Sequence, residues 1–238
     1  HLVGPYLIST TTLLLSTFVI QLFLKPDPYL TARALRGEVG NEKREIKKAL
    51  RHIAENPRAL FAILAISTGH IAMVTIMVMT PVHMKHVDET LTIIGLVISI
   101  HVLGMYAFSP LVGSLSDRIG RINTIRIGVL TLLLAALISG RAHADDAIQL
   151  GIGLFLLGLG WSFTLIAGST FLTESVTPEI KTSAQGASDL VMNLSGAFGG
   201  AIAGVVIATL SYGWLCALAA IPVSLLGIWS LQVAKVNR

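Results

Sequence analysis

The stretch Gly113-Ser-Leu-Ser-Asp-Arg-Ile-Gly-Arg121 stands between two apolar runs, residues 91–113 and 123–140, and its reading decides the fold. Nine residues joining two long apolar segments must turn the chain within a short distance. Gly113 and Gly120 supply backbone freedom for that turn and allow close approach. Asp117, Arg118 and Arg121 place charge of both signs at the junction, with Arg126 a little beyond. Charge flanking apolar runs of bilayer length marks a membrane–water boundary. The stretch therefore reads as a loop between two membrane spans.

The composition around it agrees. Hydrophobic residues make up 53% of the 238 and charged residues only 13%, where ordinary soluble domains carry about 25% charged residues. Apolar runs occur at 2–24, 58–80, 91–113, 123–140, 147–172, 183–210 and 211–233. At about 1.5 Å per residue each reaches roughly 27 Å or more, close to the ~30 Å of a hydrocarbon core. The expected fold is all-α: an integral membrane helical bundle of seven spans. The first run lacks a basic leading segment and is too long for a signal-peptide core. Because the chain opens on His1, its true start is expected upstream. Cys216 is the single cysteine, and inside an apolar helix it reads as a small packing residue.

Orientation follows from Lys and Arg. Fifteen of the 17 fall in 25–58, 113–126, 174–181 and the tail after 233, leaving Lys85 and Arg141 for the other side. The first side is expected to be cytoplasmic, in a multi-pass protein of a bacterial-type inner (plasma) membrane. Linker, 113–121 loop and C-terminus then share the cytoplasm. The net charge of +4 follows from this asymmetry, and no nucleic-acid partner is needed to account for it. In the linker, Ile46, Ala49, Leu50 and Ile53 recur at helical spacing among Lys and Arg. A basic amphipathic helix on the membrane surface is expected over 41–55, the alternative being a solvated linker. Asn56 and Pro57 read as cap and first turn of the next span.

The pattern Gly113-x-x-x-Asp117-Arg118-x-Gly120-Arg121, set between two spans, resembles the signature loop of the major facilitator superfamily of secondary transporters. The resemblance implies two six-helix halves joined by a long cytoplasmic loop, each half made of two inverted three-helix repeats. Here one span precedes the long polar segment and six follow it. Residues 1–24 are then the last helix of the N-terminal half, 25–57 the linker, and 58–238 the C-terminal six-helix domain. The implied partners are the lipid bilayer, the missing N-terminal half, a small-molecule substrate and protons. By the same resemblance Asp117 faces the positive end of a helix in the other half and latches one conformation. Gly113, Arg118, Gly120 and Arg121 frame it. A helix dipole meeting an anion contributes roughly 0.3–1 kcal/mol, up to ~2 when partly buried. Glu174 looks like the acidic group at the cytoplasmic end of the equivalent helix, pairing with Arg121 or Arg118, or else standing solvated. Thr182-Ser-Ala-Gln185 has capping-box spacing at the start of the sixth span.

Ionisable side chains within spans are costly and mark functional candidates. His70 and His101 lie near mid-span, and Asp189 lies further out with Asn193 one turn deeper on its face. The resemblance puts all of them on cavity-lining helices, where a histidine or a carboxyl group can carry a proton. The alternatives are neutral hydrogen-bonding histidines and an aspartate tied to nearby loops. Gly196, Gly200 and Gly204 form consecutive Gly-x-x-x-Gly steps suited to helix packing. They resemble the glycine motif of drug antiporters only in part, because no proline accompanies them. Met73, Met77, Met79, Met105, Phe108, Trp161 and Phe163 read as adaptable cavity wall or as packing. No Ser/His/Asp arrangement, metal-ligand cluster or phosphate-binding glycine loop occurs, so neither enzymatic activity nor a cofactor or metal is expected. The resulting expectation is proton-coupled export of small organic compounds by alternating access. Its alternatives are an importer of a small metabolite, a self-pairing half, or a complete seven-span membrane protein that does not transport.

Overall fold

The computed structural model describes residues 3–35, 51, 53–85, 87 and 89–236. The chain divides into two compact units, His1–Arg44 and Glu45–Arg238. In the first, helix α1 (Val3–Phe23) is largely apolar and carries no charged residue. The hydroxyls of Thr11, Thr12 and Thr17 donate to carbonyls four residues back, so they are satisfied within the helix. Helix α2 (Pro28–Leu35) opens after Asp27, whose Oδ1 accepts the Leu30 N–H at 3.2 Å. The amphipathic helix expected over 41–55 lies largely outside the described residues. Of its end, Ile53 is buried and Arg51 pairs with Glu55 at 2.8 Å.

The second unit contains α3 (Pro57–Lys85), α4 (Leu91–Tyr106), α5 (Ser109–Ile119), α6 (Arg121–Arg141) and α7 (Ala147–Ser175). A 3-10 turn at Pro178–Ile180 leads into α8 (Lys181–Thr209), and α9 (Tyr212–Val236) follows. Counting α4 and α5 as one bent segment, seven helices among the described residues are long and apolar enough to cross a membrane. The fold is the all-α membrane bundle that the apolar runs predict.

Helix α7 is the centre of the second unit. It packs against α6, α4, α3 and α5. Its glycines let neighbouring backbones approach. A Cβ at Gly158 would meet the His101 carbonyl, and one at Gly160 would lie 2.8 Å from Leu132 Cγ. Gly104 returns the favour on α4, where a Cβ would strike the Phe155 carbonyl. These contacts bring helices close through dispersion and shape rather than through polar groups, as packing in lipid requires. Asn56 starts α3: its Oδ1 accepts the Arg58 N–H at 3.0 Å while Nδ2 donates to the Ser175 carbonyl at 2.8 Å. The basic end of α3 is thereby tied to the end of α7. At the opposite end, Tyr212 Oη and Thr80 Oγ1 are 2.7 Å apart and buried, and the His83 ring stacks on Tyr212 at 4.4 Å. Cys216 packs under Gly140, where a Cβ would lie 2.9 Å from its own Cβ.

The stretch 113–121 is not a loop. Helix α5 runs through Gly113–Ile119, so the span continues past the expected turn, and the chain reverses at Gly120 alone. Gly120 has φ 89°, ψ 155°, a region essentially reserved for glycine. The bend falls earlier, at Ala107 and Phe108, because Pro110 has no N–H to offer the Tyr106 carbonyl. Gly113 sits in the helix with nothing within 4 Å of where a Cβ would stand. Neither backbone freedom nor close approach is used there.

Candidate functional site

Two constellations emerge in the second unit. The first stands where α5 turns into α6. Arg121 opens α6 immediately after Gly120, and its guanidinium reaches three groups. Nη1 pairs with Asp117 Oδ1 and donates to Ser116 Oγ at 3.3 Å, while Nη2 lies 3.0 Å from Glu174 Oε1 at the end of α7. The Arg121 side chain is 20% exposed, whereas those of Asp117 and Glu174 are 71% and 49% exposed. The cation is thus nearly enclosed and the anions remain accessible. Arg118 is exposed and stands apart from this network. The network borders an open cavity of about 510 Å³. Across that cavity lies Arg58, a residue the sequence reading did not single out, with its guanidinium 5.2 Å above the Phe171 ring.

The second constellation lies at mid-span. His70 is the fourteenth of 29 residues in α3, and Trp161 the fifteenth of 29 in α7. Tyr106 is the sixteenth of 29 in the bent segment Leu91–Ile119, and Gly196 the sixteenth of 29 in α8. Four helices thus contribute at one depth. Trp161 Nε1–H donates to His70 Nδ1 at 3.1 Å, and the Tyr106 ring meets Trp161 edge-on at 6.0 Å. A Cβ at Gly196 would lie 2.7 Å from His70 Nε2 and Cδ2. The absent side chain makes room for the imidazole against α8. The contact between His70 and Trp161 links residues 91 apart in sequence, and no local pattern announces it.

His101 differs sharply from His70. It is completely buried between α4 and α7, where its Nδ1 donates to the Leu154 carbonyl at 2.8 Å and Nε2 has no partner. Asp189 and Asn193 lie on the exposed face of α8. Gln185 Nε2 donates to Asp189 Oδ1 at 3.3 Å, and Ser169 of α7 donates to Gln185 Oε1 at 3.0 Å. Gln185 is thereby used between helices rather than in a capping box. The cap position is Ile180, which makes no side-chain cap bond because the 3-10 turn feeds α8 directly.

The glycine stripe divides into crowded and open positions. Gly196 and Gly199 make the tight contacts, the latter with a Cβ position 2.6 Å from Ile71 Cγ1, and Ala203 continues the buried line. Gly200 is only in ordinary contact at 3.7 Å, and Gly204 has nothing within 4 Å. Gly196 and Gly199 press closely on α3, Gly200 touches Val74 of that helix at ordinary distance, and Gly204 is open. Of the residues read as cavity wall or packing, Met73, Met105, Trp161 and Phe163 are buried.

A bundle of bilayer-length helices with a charged turn at one end defines a multi-pass membrane protein. The chain belongs to the Major Facilitator Superfamily, whose sequence profile matches residues 71–237. It is 36% identical over 215 residues to the MFS-type transporter YddS of Bacillus subtilis (strain 168), covering 89% of this chain and 49% of that protein. It is 37% identical over 238 residues to the MFS-type transporter YdeG of the same organism, covering 96% of this chain and 54% of that protein. A riboflavin transporter, RfnT of Brucella anthropi, is 28% identical over 145 residues, 61% of this chain and 36% of its own length. The chain spans about half the length of the curated relatives it matches most extensively.

Proposed function

We propose that this chain is the C-terminal half, with the last helix of the N-terminal half, of a secondary transporter that exports small organic compounds against proton entry. In this reading residues 1–24 close the first half, 25–57 form a cytoplasmic linker, and 58–238 form the second half. The C-terminus and the 113–121 turn share the linker's cytoplasmic side. The first half is the partner, and alternating access arises as the two halves rock about a site at mid-depth. The two Bacillus subtilis relatives, named as transporters, support membrane transport. Riboflavin, in the name of a third, is an instance of the small organic substrates we have in mind.

The observation that carries the reading is the His70–Trp161 pair at mid-span. The half-buried His70 imidazole bonds to Trp161 on one side and packs against Gly196 on another, and Tyr106 meets the same Trp161. A proton taken up at Nδ1 displaces the bond from Trp161, because an indole N–H is only a donor. Proton binding and the α3–α7 link therefore compete. Asp189, with Asn193 beside it, offers a relay toward the cytoplasm. His101, sealed between two helices, is the weakest of the three candidates.

At the cytoplasmic surface Asp117 and Glu174, held by Arg121, form the half of a latch that this chain supplies. Gly113 and Arg118 stay open toward the partner, and Gly120 fixes the turn.

The test uses the protein from its complete coding sequence in inverted membrane vesicles, with an imposed proton gradient and a panel of small organic compounds. Compound-dependent proton movement that His70→Ala abolishes is the expected result. If coupling is unchanged in variants of His70, His101 and Asp189 alike, proton transfer through these residues is excluded.

A further inference from the structure

We infer that the mid-span cluster recognises a flat aromatic compound bearing a hydrogen-bond acceptor, with Tyr106 stacking on its ring and His70 Nε2–H donating to the acceptor. The inference rests on reading this face as the substrate path and names the chemistry the path selects.

The geometry assigns each group a distinct part. Trp161 is 6% exposed and forms the back wall, its one polar atom engaged by His70 Nδ1. Because the indole can only donate, Nδ1 must accept, and the neutral ring carries its hydrogen on Nε2. Trp161 thus acts as a positioning residue that decides which nitrogen of His70 is the donor. No acceptor among the described residues meets Nε2, and the atom is not sealed from the surface. It stands beside Gly196 as a fixed N–H that a carbonyl or ring nitrogen could meet from the open side.

Tyr106 is 59% exposed although its ring stands close to perpendicular to Trp161, with 6.0 Å between centroids and an interplanar angle of 79°. A ring this exposed and steadied by one aromatic neighbour has surface to offer for an offset stack on a planar ligand. Charge points the same way. Among the described residues, α3 has no Lys, Arg, Asp or Glu between Arg58 and Lys85, and α7 has none before Glu174. The segment Leu91–Ile119 has none before Asp117. Asp189 on α8 lies seven residues from Gly196, about 10 Å along the helix. Among the described residues a strongly charged ligand meets no counter-ion at this depth on this half, whereas an uncharged aromatic with one acceptor matches what the half offers.

The test is binding of radiolabelled fluorenone, flat with one carbonyl, and of fluorene, the same frame without an acceptor. Both are measured on the protein from its complete coding sequence in nanodiscs, over empty nanodiscs. Fluorenone is expected to bind saturably and more tightly than fluorene. His70→Phe should weaken fluorenone about tenfold, the worth of one well-made hydrogen bond, and leave fluorene unchanged. Tyr106→Leu should weaken both, and Tyr106→Phe should restore both. Trp161→Phe, which keeps the wall and removes the N–H, should reduce the preference for fluorenone without changing fluorene. Equal effects of His70→Phe on the two ligands, or fluorenone binding no better than to empty nanodiscs, overturn the inference. Binding is read without any gradient. Saturable binding in a protein that moves no protons therefore defeats the proposed coupling and leaves this recognition standing.

Discussion

At the scale of single residues the second unit separates side chains that hold structure from side chains that face outward, and the separation is testable. Gly196 and Gly204 look equivalent in sequence, two members of one repeated spacing. Only Gly196 is crowded, with a Cβ position 2.7 Å from the His70 ring. Gly196→Ala should force the imidazole off its bond with Trp161 and lower stability by about 1–3 kcal/mol, the usual cost of overpacking. Gly204→Ala should stay within about 0.5 kcal/mol. Thermal unfolding of both variants in one detergent checks the pair, and equal shifts would refute the placement of α8 against α3. The histidines follow the same logic. His101 and His70 look alike as lone ionisable groups in apolar runs. What distinguishes them is whether the helix face bearing each is covered, and facing cannot be read without knowing which helices are neighbours.

At the scale of elements the turn between α5 and α6 is the most informative. Gly120 alone carries the reversal at φ 89°. Gly120→Ala should therefore cost about 1–3 kcal/mol, while Gly113→Ala in open helix should cost nothing or stabilise. The Arg121 network is a weaker matter. Its two carboxylates are 71% and 49% exposed, so a double-mutant cycle between Arg121→Ala and Glu174→Gln should give a coupling of about 1 kcal/mol or less. A coupling of several kcal/mol would mean that the site is far drier than its exposure indicates. The sequence shows that residues 113–121 hold a sharp reversal, because charges and glycines interrupt apolar runs. It hides that the helix persists through Ser114, Ser116 and Asp117. Leu111, Val112, Leu115 and Ile119 keep one apolar face going beneath those polar residues, and packing against α6 and α7 overrides their weak helix propensity.

At the scale of the whole molecule, span number and order were legible, because the bilayer imposes a length on every crossing. The mid-span cluster was not. Its members come from four helices, and only their depth, not their mutual facing, follows from counting residues. Orientation makes a further prediction. A cysteine introduced at His143 should react with a membrane-impermeant maleimide added outside intact cells, and one at Asn123 should not. Cys216 is buried and adds little background. Labelling at Asn123 instead would invert the assigned topology. Expressed alone, the chain should insert in the membrane yet fail to transport if, as proposed, its mid-depth face forms a path only with a first half. Uptake or efflux by the isolated chain would remove the two-half reading.

The centrality of α7 has a consequence for biogenesis. Helices α3, α4 and α6 leave the ribosome before it, and each reserves its closest packing for a neighbour still to be synthesised. Until residues 147–175 enter the bilayer, those earlier helices are threaded but not assembled. A nascent chain stalled before Ala147 should be degraded quickly by membrane proteases, and one stalled after α7 has entered should persist. The order of synthesis makes the fifth span the keystone that arrives late.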